Sequence, residues 1–178
     1  MALSFLTNAD HTIDVVVTCD PEVEADSGQR SAYIQSGDLS DLGSVSDDAT
    51  RFTLKALSPS EREEAEIRAG ALKRSELGRL LWSEAPIDSS DRARWHHALS
   101  DDEREAMADY NSYINRVYVE MLRSSLKSID GEDASVDQLQ LIRPDSHRTD
   151  TVSELVLHVQ RVSLLGDQGK QDSRLQFG

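Results

Sequence analysis

Cys19 and the five histidines are the residues whose types best suit nucleophilic or transition-metal chemistry in this 178-residue chain, and their spacing favours neither. A nucleophile must be activated by a neighbouring base or a lowered pKa. Cys19 instead closes the run Val15-Val16-Val17-Thr18, which is the setting of a small buried hydrophobe rather than of an activated thiol. A single cysteine also excludes a disulfide framework within the chain and a zinc site built on several thiolates. His96 and His97 are adjacent, so on a helix they diverge by about 100° and cannot form the i, i+4 pair that grips zinc. His158 lies beside an apolar stripe, and His11 and His147 sit in polar stretches.

The carboxylates invite a different chemistry. Asp20, Glu22, Glu24 and Asp26 alternate, so an extended segment would carry all four on one face and offer oxygen ligands to a hard cation. The calcium-loop pattern is not met, because the sixth position from Asp20 is Ala25 rather than Gly and the twelfth is Ser31 rather than Glu. Asp130-Gly131-Glu132-Asp133 with Asp137 fails the same test and reads as a turn. The chain also has no G-x-S-x-G elbow, glycine-rich phosphate loop or Walker lysine. The expectation is therefore a protein that is not an enzyme, with no catalytic, cofactor-binding or metal-ligating residues. A small metal-dependent hydrolase would require a pocket gathering Asp20, Glu22 or His11 against helical residues.

Thirty-three acids against nineteen bases give a net charge of −14, which repels phosphate backbones and argues against direct nucleic-acid binding. The excess is uneven: residues 1–50 hold ten acids and only Arg30 as a base. No stretch approaches the roughly 18 apolar residues of a membrane helix. The start MALSFLTNADHTID lacks the preceding positive charge and the cleavage pattern of a signal peptide. Both features lead to the expectation of a protein that is cytoplasmic when made and touches no membrane.

The elements that must position any site follow from periodicity. Thr12–Cys19 reads as a short strand, and its partner is Thr50–Leu57, where Phe52, Leu54 and Ala56 alternate with Arg51, Thr53 and Lys55. Residues 20–49 are rich in Asp, Glu, Ser and Gly and read as a loop or an arm that orders on a partner. Ser58-Pro59-Ser60-Glu61 is a helix-start signature, and a helix is expected over 59–82 with Leu72, Leu77, Leu80, Leu81 and Trp82 as apolar anchors. A short helix follows over 88–99, capped by Ser89 or Ser90. Ser100 to Glu103 opens a long helix to about 129, on whose face recur Met107, Tyr110, Ile114, Val117, Tyr118, Met121, Leu122 and Ile129, with Gly131 as its stop. Thr151 to Glu154 reads as a third box, opening a helix over 151–164 that Gly166 ends.

The predicted fold is thus mainly α with a small β element: three main helices over about 59–82, 101–129 and 151–164, plus short strands near 12–19 and 50–57. The predicted organisation is an acidic extended arm (1–49), a strand-plus-helix core (50–165) and a polar tail (166–178).

The segment Phe52 to Arg62, a short strand running into a Leu-Ser-Pro-x-Glu-Arg box, together with an acidic start and a Gly-rich polar end, resembles small proteins encoded among the head and tail genes of tailed bacterial viruses. Some of those resemble tail-assembly chaperones and others are minor virion components at the neck or tail. The resemblance implies a non-enzymatic structural or assembly protein, incorporated in a virion or acting on one, and it transfers no catalytic residues.

Composition leads the same way. Tyr33, Ile34, Leu39 and Leu42 are spaced apolar anchors for a groove on another protein, and Tyr113 and Phe177 are further partner-binding candidates. Expected partners are protein subunits of a larger assembly, basic surfaces on them, or further copies of this chain. The alternative from another class is an acidic decoy that occupies the basic surface of a nucleic-acid-binding protein.

Overall fold

A computed structural model describes residues 11–70, 75–86 and 88–175. The chain is mainly helical with a small antiparallel sheet, as expected, but it uses seven helices among the described residues rather than three. It divides into two units: unit 1 holds the residues up to Ala65 and those from Tyr118 onward, and unit 2 is Glu66–Val117. Unit 1 runs through β1 (Thr12–Val15), β2 (Val23–Glu24), α1 (Ser27–Ser36), a 3-10 turn (Leu39–Asp41), β3 (Ser44–Val45), β4 (Phe52–Lys55) and the start of α2 (Pro59–Ala69). Unit 2 holds the end of α2, α3 (Ser75–Glu84), α4 (Ser89–Ala98) and most of α5 (Asp101–Ser125). Unit 1 then resumes with the end of α5, β5 (Leu126–Ile129), β6 (Glu132–Asp133), α6 (Val136–Leu139) and α7 (Asp145–Leu175).

The expected pairing of the first strand with residues 50–57 is present: β1 and β4 are antiparallel, with Ile13 opposite Leu54 and Val15 opposite Phe52. The sheet continues to β5 and β6 in the order β1-β4-β5-β6. These last two strands correct the expected helix over 101–129, which stops at Ser125. Leu126 and Ile129 satisfy a helical spacing and also the sheet register, and pairing of Ile129 with Phe52 decides for the strand. Asp130 and Gly131 both have positive φ, 53° and 80°, as the two-residue turn of a hairpin requires, so they join β5 to β6 rather than cap a helix.

The expected 59–82 helix is interrupted. Gly70, at φ 85°, follows the last residue of α2, and α3 begins at Ser75; the anchor Leu72 lies outside the described residues. Two of the three capping boxes form. Ser58 and Glu61 exchange bonds of 2.8 and 3.2 Å, and Ser100 and Glu103 bonds of 2.8 and 3.4 Å. Asp88, not Ser89 or Ser90, caps α4, accepting from the backbone N–H of Ser90 and Asp91. The third box lies inside α7, which starts at Asp145 and runs past Gly166 to Leu175, through residues expected to be a tail. Thr151 and Glu154 are buried and spent on tertiary bonds rather than on a helix start.

The largest correction concerns residues 20–49. They are not an extended arm; they fold within unit 1 around a cluster of Val16, Val23, Tyr33, Leu42 and Ala49, with Leu39 and Val45 packed against it. Asp26 and Gln29 form a capping box that starts α1, and Gly37 ends it in the left-handed conformation. Each large side chain so buried contributes about 1.5–3 kcal/mol toward offsetting the ordering entropy of the segment.

Candidate functional site

The former arm residues hold unit 1 together. Tyr33 is fully buried; its hydroxyl accepts from the Val16 N–H at 3.1 Å and donates to the Val16 carbonyl at 3.2 Å. Burial pushes its phenol above the ordinary value despite that bond, so it remains a neutral donor. Leu42 is buried with it, Leu39 packs against the same cluster, and Ile34 is half-buried. Tyr33 and Leu42 are therefore not anchors for a groove on another protein. Tyr113 is half-buried in unit 2 with the Arg116 guanidinium 6.0 Å from its ring centroid, and Phe177 lies outside the described residues.

A polar cluster lies beside Tyr33. The Glu154 carboxylate, almost fully buried, accepts from the Thr18 N–H at 2.9 and 3.0 Å and from its hydroxyl at 2.8 Å, tying the chain after β1 to α7. His158, four residues on, is fully buried with its ring tilted at 4.9 Å from that of Tyr33. Neither ring nitrogen has a hydrogen-bond partner, and Glu154 Oε1 lies 3.8 Å from Nε2. Arg161, on the same helix, donates to the Tyr33 carbonyl beside the Gly37 cap of α1.

Cys19 lines a cleft of about 720 Å³ in unit 1, floored by Val17, Phe52 and Leu139 and rimmed by Asp20, Glu132 and Leu141. Its Sγ lies 3.4 Å from Thr151 Oγ1 and donates a long bond, 4.0 Å, to the His147 carbonyl. Burial pushes the thiol above its ordinary pKa, the Thr151 bond opposes this, and the Glu154 and Asp150 carboxylates push it further up. The group is thus a thiol where catalysis would need a thiolate. The four alternating acids do not share a face as a ligand set. Asp20 accepts from the N–H groups of Glu22 and Thr50, Glu24 accepts from the Ser44 hydroxyl, and Asp26 caps α1. Among the described residues, no three His, Cys, Asp or Glu side chains gather as a metal site would require. No helix among them is long and apolar enough to cross a membrane.

Unit 2 presents the other kind of surface. Its buried cluster is Leu81, Leu99 and Met107, with Trp95 packed against it. Gly78 of α3 sits so close to α5 that a Cβ there would lie 2.4 Å from the Ala106 carbonyl oxygen and 2.9 Å from Tyr110 Cβ. Beside the inward-turned Gly78 and Leu81, α3 also carries leucine into solvent. Leu77 is 40% exposed and Leu80 54%, while Trp82, on the Tyr110 side, is 49% exposed and Ile67 of α2 70%. A groove of about 320 Å³ along α3 is lined by Glu76, Leu77, Arg79, Leu80 and Ser83. Sequence reasoning took Leu77, Leu80 and Trp82 for apolar anchors of the 59–82 helix. The contrary signal was present, because positions 77, 80, 81 and 82 spread around more than one face of a helix, and the lone glycine among them marks the side that packs.

Comparison with protein-family models, with curated proteins and with solved structures returns no match.

Proposed function

We propose that this chain is a non-enzymatic assembly protein that docks onto other subunits of a larger complex through the outer face of α3. The observation that carries the reading is the placement of exposed apolar surface. Four of the six large hydrophobic side chains that stand exposed among the described residues (Ile67, Leu77, Leu80 and Trp82) belong to unit 2, the smaller unit. Apolar side chains grouped on one helix of a small unit are what a helix-mediated docking face requires. The chemistry of unit 1 supports the non-enzymatic side of the reading: its cysteine is held as a thiol, and its buried carboxylate is occupied by Thr18. The resemblance of residues 52–62 to proteins of tailed bacterial viruses supplies the setting, a neck or tail component or a tail-assembly chaperone.

The test is to isolate the assembly from its source with either the wild-type chain or a Leu77→Asp/Leu80→Asp double variant, and to quantify the chain by mass spectrometry. Incorporation should be lost in the variant while its thermal melt is retained. Equal incorporation of both would remove α3 as the docking face.

A further inference from the structure

The cleft in unit 1 offers a second apolar surface, and the charges around it select an occupant. Val17, Phe52 and Leu139 are buried in its floor, while Leu141 on its rim is 76% exposed, so the apolar lining continues out of the cleft onto the surface of the unit. Its volume, about 720 Å³, falls within the range of about 300–1,000 Å³ usual for a ligand-binding cleft. A small ligand held on the floor would leave that leucine in water; a polypeptide laid across the rim covers it.

Three carboxylates line the cleft from the sheet side. Asp20 Oδ2 accepts from the Thr50 N–H at 3.0 Å and Asp130 Oδ1 from the Arg51 N–H at 2.8 Å, so the two flank the chain where it enters β4, Asp20 from the β1 side and Asp130 from the β5 side. Glu132 stands exposed on β6 beyond them. The backbone bonds fix the positions of Asp20 and Asp130 without removing their charge. The basic residues do not balance these acids. Arg51 lies between two lining residues, Thr50 and Phe52, and is not one itself. Arg143 lines the cleft, but its guanidinium is turned onto the carbonyls of Gln140 and Ile142 at 2.6 and 2.9 Å, which leaves His147 as the other basic group of the lining. Unit 1 as a whole has 23 acids against 11 bases, whereas unit 2 has ten against eight, so the wider field has the same sign as the cleft.

We propose that this cleft docks a basic peptide segment of a partner subunit, which seats a large aliphatic side chain against Val17, Phe52 and Leu139 and sets a neighbouring Lys or Arg against Asp20, Asp130 and Glu132. Hydrophobic burial supplies the affinity, and the acidic side of the cleft sets the preference among partners.

Cys19, the only cysteine of the chain, lines the cleft and reports its occupancy. The probe is a capped hexapeptide in which leucine alternates with lysine, and the readout is the rate at which N-ethylmaleimide alkylates Cys19 in the full chain. At ten times its Kd the peptide should slow alkylation about tenfold, and added salt should weaken the protection. Hexapeptides with glutamate in place of lysine, or serine in place of leucine, should protect far less. Glu132→Lys and Leu141→Ser, both at exposed positions, should each weaken binding about fivefold with an unchanged thermal melt. Glu132→Gln serves if Glu132→Lys fails to fold. No protection by the leucine-lysine peptide, equal protection by its glutamate counterpart, or variants that bind as the wild type does would each overturn the proposal. Argininamide that protects as well as the peptide would also overturn it, by making the cleft a site for a small cation. Incorporation of the Leu77→Asp/Leu80→Asp chain reads the α3 face alone, so the two docking surfaces stand or fall separately.

Discussion

Unit 1 and unit 2 solve the same problem of stability in opposite ways. Unit 1 is strongly acidic and joins distant segments through its core: Tyr33 reaches back to Val16, Glu154 to Thr18 and Ser163 to Leu57. Its individual side chains carry cross-chain bonds that nothing else replaces. Unit 2 is nearly balanced in charge; its buried residues include Leu81, Leu99, Ala106, Met107 and Val117, and α3 closely approaches α5 at Gly78. The difference separates scaffold from surface. Among the described residues, the unit that ties its own segments together exposes few large apolar groups, while the smaller unit leaves leucines outside.

Substitutions should sort along that division. Tyr33→Ala should cost about 4 kcal/mol, because it empties a fully buried aromatic site and leaves the Val16 N–H and carbonyl unpaired; urea unfolding would read it directly. Were residues 20–49 an arm that orders only on a partner, this change would leave the midpoint unmoved. Glu154→Ala should cost about 3 kcal/mol, since it strips the Thr18 N–H and hydroxyl of a charged acceptor inside the core. Gly78→Ala tests unit 2, and about 2 kcal/mol is expected because the added methyl meets backbone rather than a side chain that can swing away. A cost near zero there would show that α3 and α5 are not closely packed.

Much of the local structure was legible in the residues. The β1–β4 pairing and the boxes at Ser58 and Ser100 came from alternation and from capping chemistry, both of which are local. The errors share a cause. Thr151 and Glu154 have the right types for a cap but are used by Cys19 and Thr18, more than 130 residues away in sequence, and no local rule reveals that. Tyr33 looked like an anchor awaiting a partner because its partner is the chain's own Val16. Asp130-Gly131 was legible as a hairpin turn, but the apolar period running through α5 concealed the change to a strand at Leu126. The exposed leucines of α3 were the least legible feature, because an exposed leucine and a leucine in a core differ only in what surrounds them.

Acid adds a smaller test on unit 1. Burial alone would raise the Glu61 carboxyl, but the Lys55 ammonium at 2.7 Å and the Ser58 bonds outweigh it and hold it below the usual range. A carboxyl depressed on folding contributes stability above its unfolded value, near about 4.3, and loses it as pH falls through its folded value. Glu61→Gln should therefore lower stability at neutral pH by no more than about 1 kcal/mol and flatten the loss below about pH 4. An unchanged acid limb in urea titrations would mean that the Lys55 pair carries none of it.

The smallest effect is expected at the residue most important to the functional reading. Leu54→Ala in β4 removes a fully buried side chain and should cost about 2–5 kcal/mol, whereas Leu80→Ala removes one that is already half in water and should cost less than about 0.5 kcal/mol. A cost that small in the Leu80→Ala melt would leave the Leu80 side chain outside the core, while a large one would place Leu80 in the core of unit 2 and erase the contrast between the two units.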